Sequence, residues 1–471
     1  LPLVEKRFQT VDAGFAYIES FTNLERTTNS TIRNYRLDRM RSLLEFFDNP
    51  QRTLRLLHIA GTKGKGSTGL YLASILFEAG YRTGFYASPH VSSYTERITD
   101  AGAPFEDALY IEMINRIASR LVSFPRSTLP ARSNPTTFEL LTLLGLLTFR
   151  EAGCHWAVIE TGIGGRLDAT NVITPEACLL TPVEREHTDI LGTTLAQIAG
   201  EKAGIIKPGV PVFSGYQHPE VRTVFETAAA AMRAPIRFLD DAVVHSETLL
   251  RPDGGVVEIT WRDGPVETYE LGMPGEVQGE NSALAVLAAK SLFSGGDQSR
   301  PAIDSESIHR GLRRARLPGR MEVVFPPVRK DTDLLDRRAP IVLDAAHTPV
   351  SVSRLLGSFR KMFPVPAVLI FGSVLGKDPA GMAEILAPHF SHVIISTPGS
   401  FKKSDPKEVW NHFVGHNPGA RLVPDPRLAL AEALRVSGGH LPILVTGSFY
   451  MVAEIRRFLT GKEEDGSGAI R

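Results

Sequence analysis

Cysteine is nearly absent: Cys154 and Cys178 are the only two among 471 residues. Two thiols cannot build a disulfide framework or a thiolate zinc site. Charge of one sign is lacking as well. Lysine plus arginine number 52 and aspartate plus glutamate number 52, so the formal net charge is zero. That balance excludes a chain-wide polyanion binder and leaves room only for a local basic pocket. No apolar run approaches the ~20 residues that a membrane span needs. Leu1–Thr10 carries no basic-then-apolar targeting pattern, and the first residue is Leu rather than Met, as in a chain with a trimmed start. There is no internal repeat, no long low-complexity tract and no G-x-S-x-G nucleophile elbow. The default expectation is a cytoplasmic, monomeric enzyme or binding protein that engages neither nucleic acid nor membrane.

The sequence has ample material for packing. Hydrophobic residues make up 43% and charged residues 22%, the balance of a globular protein with more than one buried core. Short apolar runs alternate with helical stretches. Strands are expected at Leu54–Ala60, Thr83–Ala87, Ala157–Glu160, Ala177–Leu180 and Pro211–Ser214. Helices are expected between them at Ser67–Ala79, Glu106–Val122, Thr136–Ala152, Leu195–Ala203 and Pro219–Met232. Such alternation reads as parallel α/β. Turn signals at Asp253-Gly254-Gly255 and Asp263-Gly264-Pro265 then bound β-type runs at Val256–Trp261 and Val266–Leu271, a small antiparallel meander. After a helix at Asn281–Leu292, the polar loop Ser294–Arg300 marks the expected domain boundary. Strands at Ile341–Leu343, Ala367–Phe371, His392–Ser396, Arg421–Val423 and Ile443–Thr446, with intervening helices, then suggest a Rossmann-like domain.

The strongest local signal is HIAGTKGKGST at 58–68, between an apolar strand and a helix. A loop there can wrap backbone N–H groups around phosphate oxygens, and the helix N-terminus adds partial positive charge. Gly61, Gly64 and Gly66 permit close backbone approach. Lys65 can neutralise phosphate charge, and Ser67 or Thr68 can ligate Mg2+. The strict G-x-x-x-x-G-K-[ST] pattern is not met, because Gly66 follows Lys65 and Ile59 lies five before Gly64. The alternative is an ordinary Gly-rich turn with a surface lysine. Glu160, at the carboxyl end of the next apolar strand, points into the crevice where α/β proteins hold ligands and has the hard oxygen chemistry Mg2+ prefers. His187 follows a third strand and Lys202 lies shortly after; taken singly each is more often structural. In the second part, Asp344 and His347 end one strand, while Gly372-Ser373 and Gly447-Ser448 end others. Arg320 stands just past the linker.

In this order these elements resemble one family, folylpolyglutamate synthase / dihydrofolate synthase, a branch of the Mur ligase superfamily. The matching runs are NYRLDRMRSLLEFF at 34–47, HIAGTKGKGST at 58–68, SPH at 88–90, ERI at 96–98, TTFELLT at 136–142 and ETGIGGRLDATN at 160–171. They continue with EHTDILG at 186–192, IAGEKAGIIK at 198–207, PGRMEV at 318–323, DAAHTP at 344–349 and TGSFYMVAEI at 446–455.

The resemblance implies an α/β architecture: a P-loop-containing Mur-ligase-type ATPase domain with a small meander over 1–297, then a Rossmann-like ligase domain over 298–471. It implies an ATP-dependent amide ligase that joins L-glutamate to a folate or dihydropteroate carboxylate through an acyl phosphate. By position, Gly61, Thr62, Gly64, Lys65, Gly66, Ser67 and Thr68 would hold ATP, with Asn281, Arg320, Asp344 and His347. Ser67, Ser88, Glu160, His187 and Lys202 would ligate two Mg2+ ions, Lys202 as an N6-carboxylated carbamate. Lys65, Glu160, His187 and Lys202 would be catalytic. Thr136, Thr137, Phe138, Glu139, Leu167, Asp168 and Ala169 match segments lining the pterin pocket. The chain departs from the family pattern in places. Lys63 stands where the loop usually has Asn, Glu186 where Asp usually precedes His187, Val277-Gln278 for His-Gln, Ser282 for Ala and Thr348 for Asn. Other readings are a superfamily ligase acting on a cell-wall precursor or amino-acid polymer, and a nucleotide-binding relative without catalysis. TTFELLT and ETGIGGRLDATN favour the folate branch over the first, and retention of Lys65, Glu160, His187 and Lys202 speaks against the second.

Overall fold

The computed structural model describes residues 7–24, 37–125, 134–293, 303–325 and 339–460. Asn34–Arg36 of the first matching run, the loop expected as a boundary and the tail from Gly461 lie outside the described residues. The chain divides into two compact units. One comprises Leu1–Glu247, Val257–Leu271 and Gln278–Arg316; the other comprises Thr248–Val256, Gly272–Val277 and Leu317–Arg471. The helix Ser305–Arg314, beyond the polar loop, packs back on the first unit: Gly311 meets the backbone of Ile75, and Arg310 and Arg314 both pair with Glu78.

The first unit is built on an eight-stranded sheet: β1 Arg55–Ala60, β2 Thr83–Tyr86, β3 Ile98–Asp100, β4 Ala103–Pro104, β5 Trp156–Glu160, β6 Ala177–Leu180, β7 Val212–Ser214 and β8 Ile236–Phe238. Their spatial order is β4-β3-β2-β5-β1-β6-β7-β8. From β2 through β8 the neighbours run parallel, whereas β3 and β4 add an antiparallel edge. β1 is buried along almost its whole length, as a central strand covered on both faces should be. Its register sets Ile59 against Glu160 of β5 and Ala60 against Leu180 of β6. The ends of three strands, at Gly61, Glu160 and Thr181, are therefore neighbours.

The meander has three strands, not the two legible in the sequence: β9 Val243–Arg251, β10 Gly254–Trp261 and β11 Val266–Leu271. β9 alternates exposed with half-buried positions and carries charges, so no continuous apolar run announces it. In the second unit, β12 Glu322–Val324, β13 Ile341–Leu343, β14 Val368–Phe371, β15 His392–Ile395, β16 Arg421–Leu422 and β17 Ile443–Thr446 are ordered β12-β13-β17-β14-β15-β16. Only β12 is antiparallel. The five parallel strands coincide with the expected runs to within a residue or two, because each is a short run ending near Pro, Gly, Ser or Asp, and all but β16 contain β-branched residues.

Candidate active site

The loop 61–64 leaves the buried end of β1 and enters the helix Lys65–Glu78. Gly64, the helix N-cap, has a left-handed φ of +84°, and a Cβ there would collide with Oδ1 of Asn281. Any other residue at 64 would carry both the backbone strain and that clash. Asn281 belongs to the helix Val277–Phe293, which begins a turn earlier than its periodicity suggested, and its amide donates to Gln278. Glycine and asparagine thus bring this helix against the loop.

The far side of the loop is fastened to the segment after β6. The N–H groups of Thr62 and Lys63 donate to the carbonyl of Pro182 at 3.0 and 3.3 Å. The Thr62 hydroxyl donates to the carbonyl of Glu184 and accepts from its N–H. Beneath the loop, the buried Lys202 donates from Nζ to the carbonyl of Gly61 at 2.7 Å. Lys65 Nζ lies 3.7 Å from Glu160 Oε1, and the N–H of Ser88 reaches Glu160 Oε2 at 3.4 Å. Five expected residues, Gly61, Lys65, Ser88, Glu160 and Lys202, therefore meet at one loop. Ser67 and Thr68 are buried in the first turn of the helix, and the Thr68 hydroxyl has no hydrogen-bond partner among the described residues.

Lys202 is the electrostatically perturbed member. Burial, with Lys65 adding to it, pulls its pKa down to about 7 from the usual lysine range; Glu186 opposes the shift. A substantial fraction of the side chain is then a neutral amine near neutral pH. Such an amine is a nucleophile, which an exposed lysine at that pH is not.

His187 takes a left-handed φ of +53° and stands exposed at the start of the short helix Thr188–Leu191. The residue of this turn that meets the glycine-rich loop is Glu186, whose Oε2 lies 3.0 Å from Lys63 Nζ. Lys63 and Glu186, 123 positions apart, thus meet in one contact, which spacing alone could not reveal. Among the described residues no three His, Cys, Asp or Glu side chains form a ready cation cage. That is compatible with Mg2+, which keeps several waters and is usually held by one or two carboxylates together with substrate phosphates.

The expected acceptor segment lies against the turn that follows Glu160. Thr136 caps the helix Thr137–Glu151 in a capping box: Glu139 N–H donates to Thr136 Oγ1, and the Glu139 carboxylate accepts from Thr136 N–H at 2.7 Å. The same carboxylate is buried against Arg39 Nε at 2.7 Å, while the Thr137 hydroxyl donates to the carbonyls of Ile18 and Phe21. Thr136, Thr137 and Glu139 have their polar groups committed to the scaffold. Phe138 alone is half-buried, its ring covering Gly162 so closely that a Cβ there would fall 2.6 Å from Cζ. Gly162 is two residues past Glu160. Asp168 fixes this turn: its Oδ2 accepts from the N–H groups of Gly162 and Ile163 at 2.9 and 3.0 Å, and its Oδ1 from the Thr170 N–H and hydroxyl. Burial raises the Asp168 pKa against the pull of those donors. Leu167 is half-buried, and Ala169 joins the adjacent apolar core.

In the second unit, Arg320, Asp344 and His347 also come together. Arg320 lies over the ring of Phe449 at 4.8 Å, and His347 packs against the same ring. Asp344 accepts from the N–H groups of Met321 and Ala346, both at 2.9 Å, which fixes the turn that carries Arg320. Burial raises the Asp344 pKa, and Arg320 offsets part of the rise. Phe449 went unrecognised in the sequence, where an aromatic opening a helix reads as core.

Known proteins resemble the chain over most of its length. A family model described as "Mur ligase, glutamate ligase domain" matches residues 319–449. The chain is 33% identical over 450 residues to the folylpolyglutamate synthase of Lacticaseibacillus casei, covering 95% of this chain and 98% of that one. It is 30% identical over 426 residues to the dihydrofolate synthase/folylpolyglutamate synthase of Bacillus subtilis, covering 90% and 94%. The structure resembles Mycobacterium tuberculosis folylpolyglutamate synthase complexed with ADP, with TM-score 0.81 and 27% identity over 95% of this chain and 99% of that one. With relatives aligned end to end at this identity, the chain is a member of the folylpolyglutamate synthase / dihydrofolate synthase family of Mur ligases.

Proposed function

We propose that the protein is an ATP-dependent amide ligase that adds L-glutamate to the carboxylate of a folate-type acceptor and releases ADP and phosphate. The observation that carries this reading is the shared end of β5. Glu160 pairs with the loop lysine Lys65, and two residues on, Gly162 lies under Phe138 of the acceptor segment. Phosphoryl donor and acceptor carboxylate would then be handled by residues two apart at one strand end.

The chemistry requires two anions, a carboxylate and a terminal phosphate, to come into contact. The first-turn N–H groups of the helix Lys65–Glu78 and the Lys65 ammonium supply positive potential for the triphosphate. The acceptor carboxylate attacks the γ-phosphorus and ADP departs, leaving an acyl phosphate. The amine of glutamate then attacks the acyl carbon, loses a proton and expels phosphate. Positioning and charge neutralisation do most of the work in such a sequence. The N–H groups of Gly162 and Ile163 are taken by Asp168, so they hold the turn rather than stabilise a developing oxyanion.

Two Mg2+ ions belong to the proposal, with Ser67, Ser88, Glu160 and His187 as donors and Lys202 as a carbamate. When bound, the metal would neutralise charge on the transferring phosphoryl group. The depressed pKa of Lys202 supports the carbamate: its neutral Nζ can add to the carbon of carbon dioxide and shed a proton, turning an ammonium into an oxygen ligand. The monomeric state and a cytoplasmic location belong to the same reading. Among the described residues no helix is long and apolar enough to cross a membrane, and both cysteines are buried free thiols.

The deciding experiment supplies ATP and L-glutamate with either dihydropteroate or tetrahydrofolate, and reads phosphate release and product mass. Release only with all three substrates, and a product heavier by one glutamyl residue, is expected. Nucleotide binding without release on any folate would instead identify a catalytically silent relative. The two acceptors separate folylpolyglutamate synthase from dihydrofolate synthase activity.

A further inference from the structure

The reaction described above leaves two charged side chains at the loop without a role. Lys63 and Glu186 pair at 3.0 Å, their side chains 23% and 14% exposed. The pair is not what fastens the two segments together. The N–H groups of Thr62 and Lys63 on the carbonyl of Pro182, and the reciprocal bonds between the Thr62 hydroxyl and the backbone of Glu184, already do that without any charge. The ion pair can therefore open while the backbone stays in place.

The surroundings give it reason to open. Lys63 and Lys65 both act electrostatically on the buried Lys202, and Glu186 acts on it in the opposite sense, so all four groups share one field. Each loop lysine rests on its own carboxylate, Lys65 on Glu160 and Lys63 on Glu186. A lysine–carboxylate pair that still touches solvent is only weakly held. A triphosphate arriving at the same loop brings roughly four negative charges and several acceptor oxygens, a stronger partner for an ammonium than one carboxylate.

We propose that Lys63 is a second phosphate-binding cation of the loop, resting on Glu186 in the absence of nucleotide and transferring to phosphate oxygens when nucleotide binds. Glu186 is then a competitor: it holds the ammonium while the loop is empty and reclaims it when the phosphates leave. The inference rests on nucleotide binding at this loop and adds a residue outside the set expected from the resemblance.

The test is the sign of two effects. Binding of the non-hydrolysable analogue AMPPCP to the full chain is measured by calorimetry at several salt concentrations for wild type, K63M, K63N, E186Q and K63M/E186Q. K63M and K63N should weaken binding roughly five- to twentyfold, and the salt dependence should become shallower. E186Q should tighten binding roughly two- to fivefold, because the competing carboxylate is gone. The double variant should bind more weakly than E186Q, because with no carboxylate left to neutralise, the only thing Lys63 can lose there is its own contact with phosphate. K63N keeps a polar side chain at 63, and weakened binding with an unchanged melting temperature is not a folding defect. A pair that merely holds the loop would make K63M and E186Q weaken binding alike, and that result, or Lys63 variants binding as wild type does, overturns the proposal. Wild type that fails to bind the analogue would instead remove the nucleotide reading itself.

Discussion

Lys202 Nζ donates to the carbonyl of Gly61 across 2.7 Å, so a side chain from the helix Leu195–Ala203 reaches beneath the glycine-rich loop 61–64. A fully charged ammonium would be expensive in that position, and its pKa, lowered to about 7 chiefly by burial, registers the cost. Replacing Lys202 by Ala is expected to abolish turnover, and a short carboxylate such as acetate should restore part of it by supplying the missing oxygen ligand. In the wild type, activity at limiting bicarbonate should rise as pH passes upward through about 7, since only the neutral amine adds to carbon dioxide. A Lys202→Ala enzyme that turns over fully without additive would sink the carbamate.

Lys65 and Glu160 face each other at 3.7 Å with little solvent between them, their side chains 15% and 5% exposed. Lys65→Ala should weaken nucleotide binding and lower kcat/KM by roughly 100- to 1000-fold, the usual cost of deleting one preorganised electrostatic contact to a transferring group. Glu160→Ala should lower kcat by a similar factor or more, and excess Mg2+ should recover little of it. Phosphate-release assays with all three substrates decide both, and wild-type rates in either variant would refute the assigned role.

The parallel strands and their polar ends were legible because both signals are local. A run such as Leu54–Ala60 followed by Gly61 states its burial and its exit in consecutive residues. Motif order then carried the likeness to a family, which composition could not. What stayed hidden was pairwise. Nothing in the sequence joins Lys63 to Glu186, 123 positions apart, or Asn281 to Gly64, because register and helix packing decide which strand ends meet. β9 was missed because its charged, half-exposed face has no apolar stripe. Thr137 and Glu139 stand in a segment matched to the acceptor pocket, yet their polar atoms hold the helix in place. A motif fixes where a segment lies more securely than what each of its side chains does.

Phe138 and Gly162 supply a test that separates acceptor from nucleotide. A Cβ at 162 would lie 2.6 Å from Phe138 Cζ and 3.2 Å from Asp168 Oδ2, so Gly162→Ala must push the far end of the ring away. The ring tip can yield, so the loss of stability should be small. The acceptor KM is expected to rise about tenfold while the ATP KM stays within about twofold, because only one of two neighbouring subsites is disturbed. Steady-state kinetics with each substrate varied in turn would expose the error if both constants rose together.

His58 makes acid sensitivity a property of the site's foundation. The hydroxyl proton of Thr170 goes to Asp168 Oδ1 at 2.6 Å, so the Thr170 oxygen must accept from Nε2–H of His58 at 2.8 Å, which fixes the neutral tautomer. Nδ1 is buried without a hydrogen-bond partner among the described residues, and burial, with a smaller contribution from Lys207, pushes the ring's pKa down to about 3. The unfolded chain takes up this proton near pH 6.5, whereas the folded chain does not until about 3. The contribution to stability is therefore intact above about pH 6.5 and is lost as pH falls toward 3, by at most roughly 4–5 kcal/mol. His58→Gln removes the titrating ring and should flatten the acid limb, even though the variant starts from a lower stability at neutral pH. Urea midpoints for both proteins between about pH 4 and pH 8 measure the difference, and parallel curves would show that the acid response comes from elsewhere.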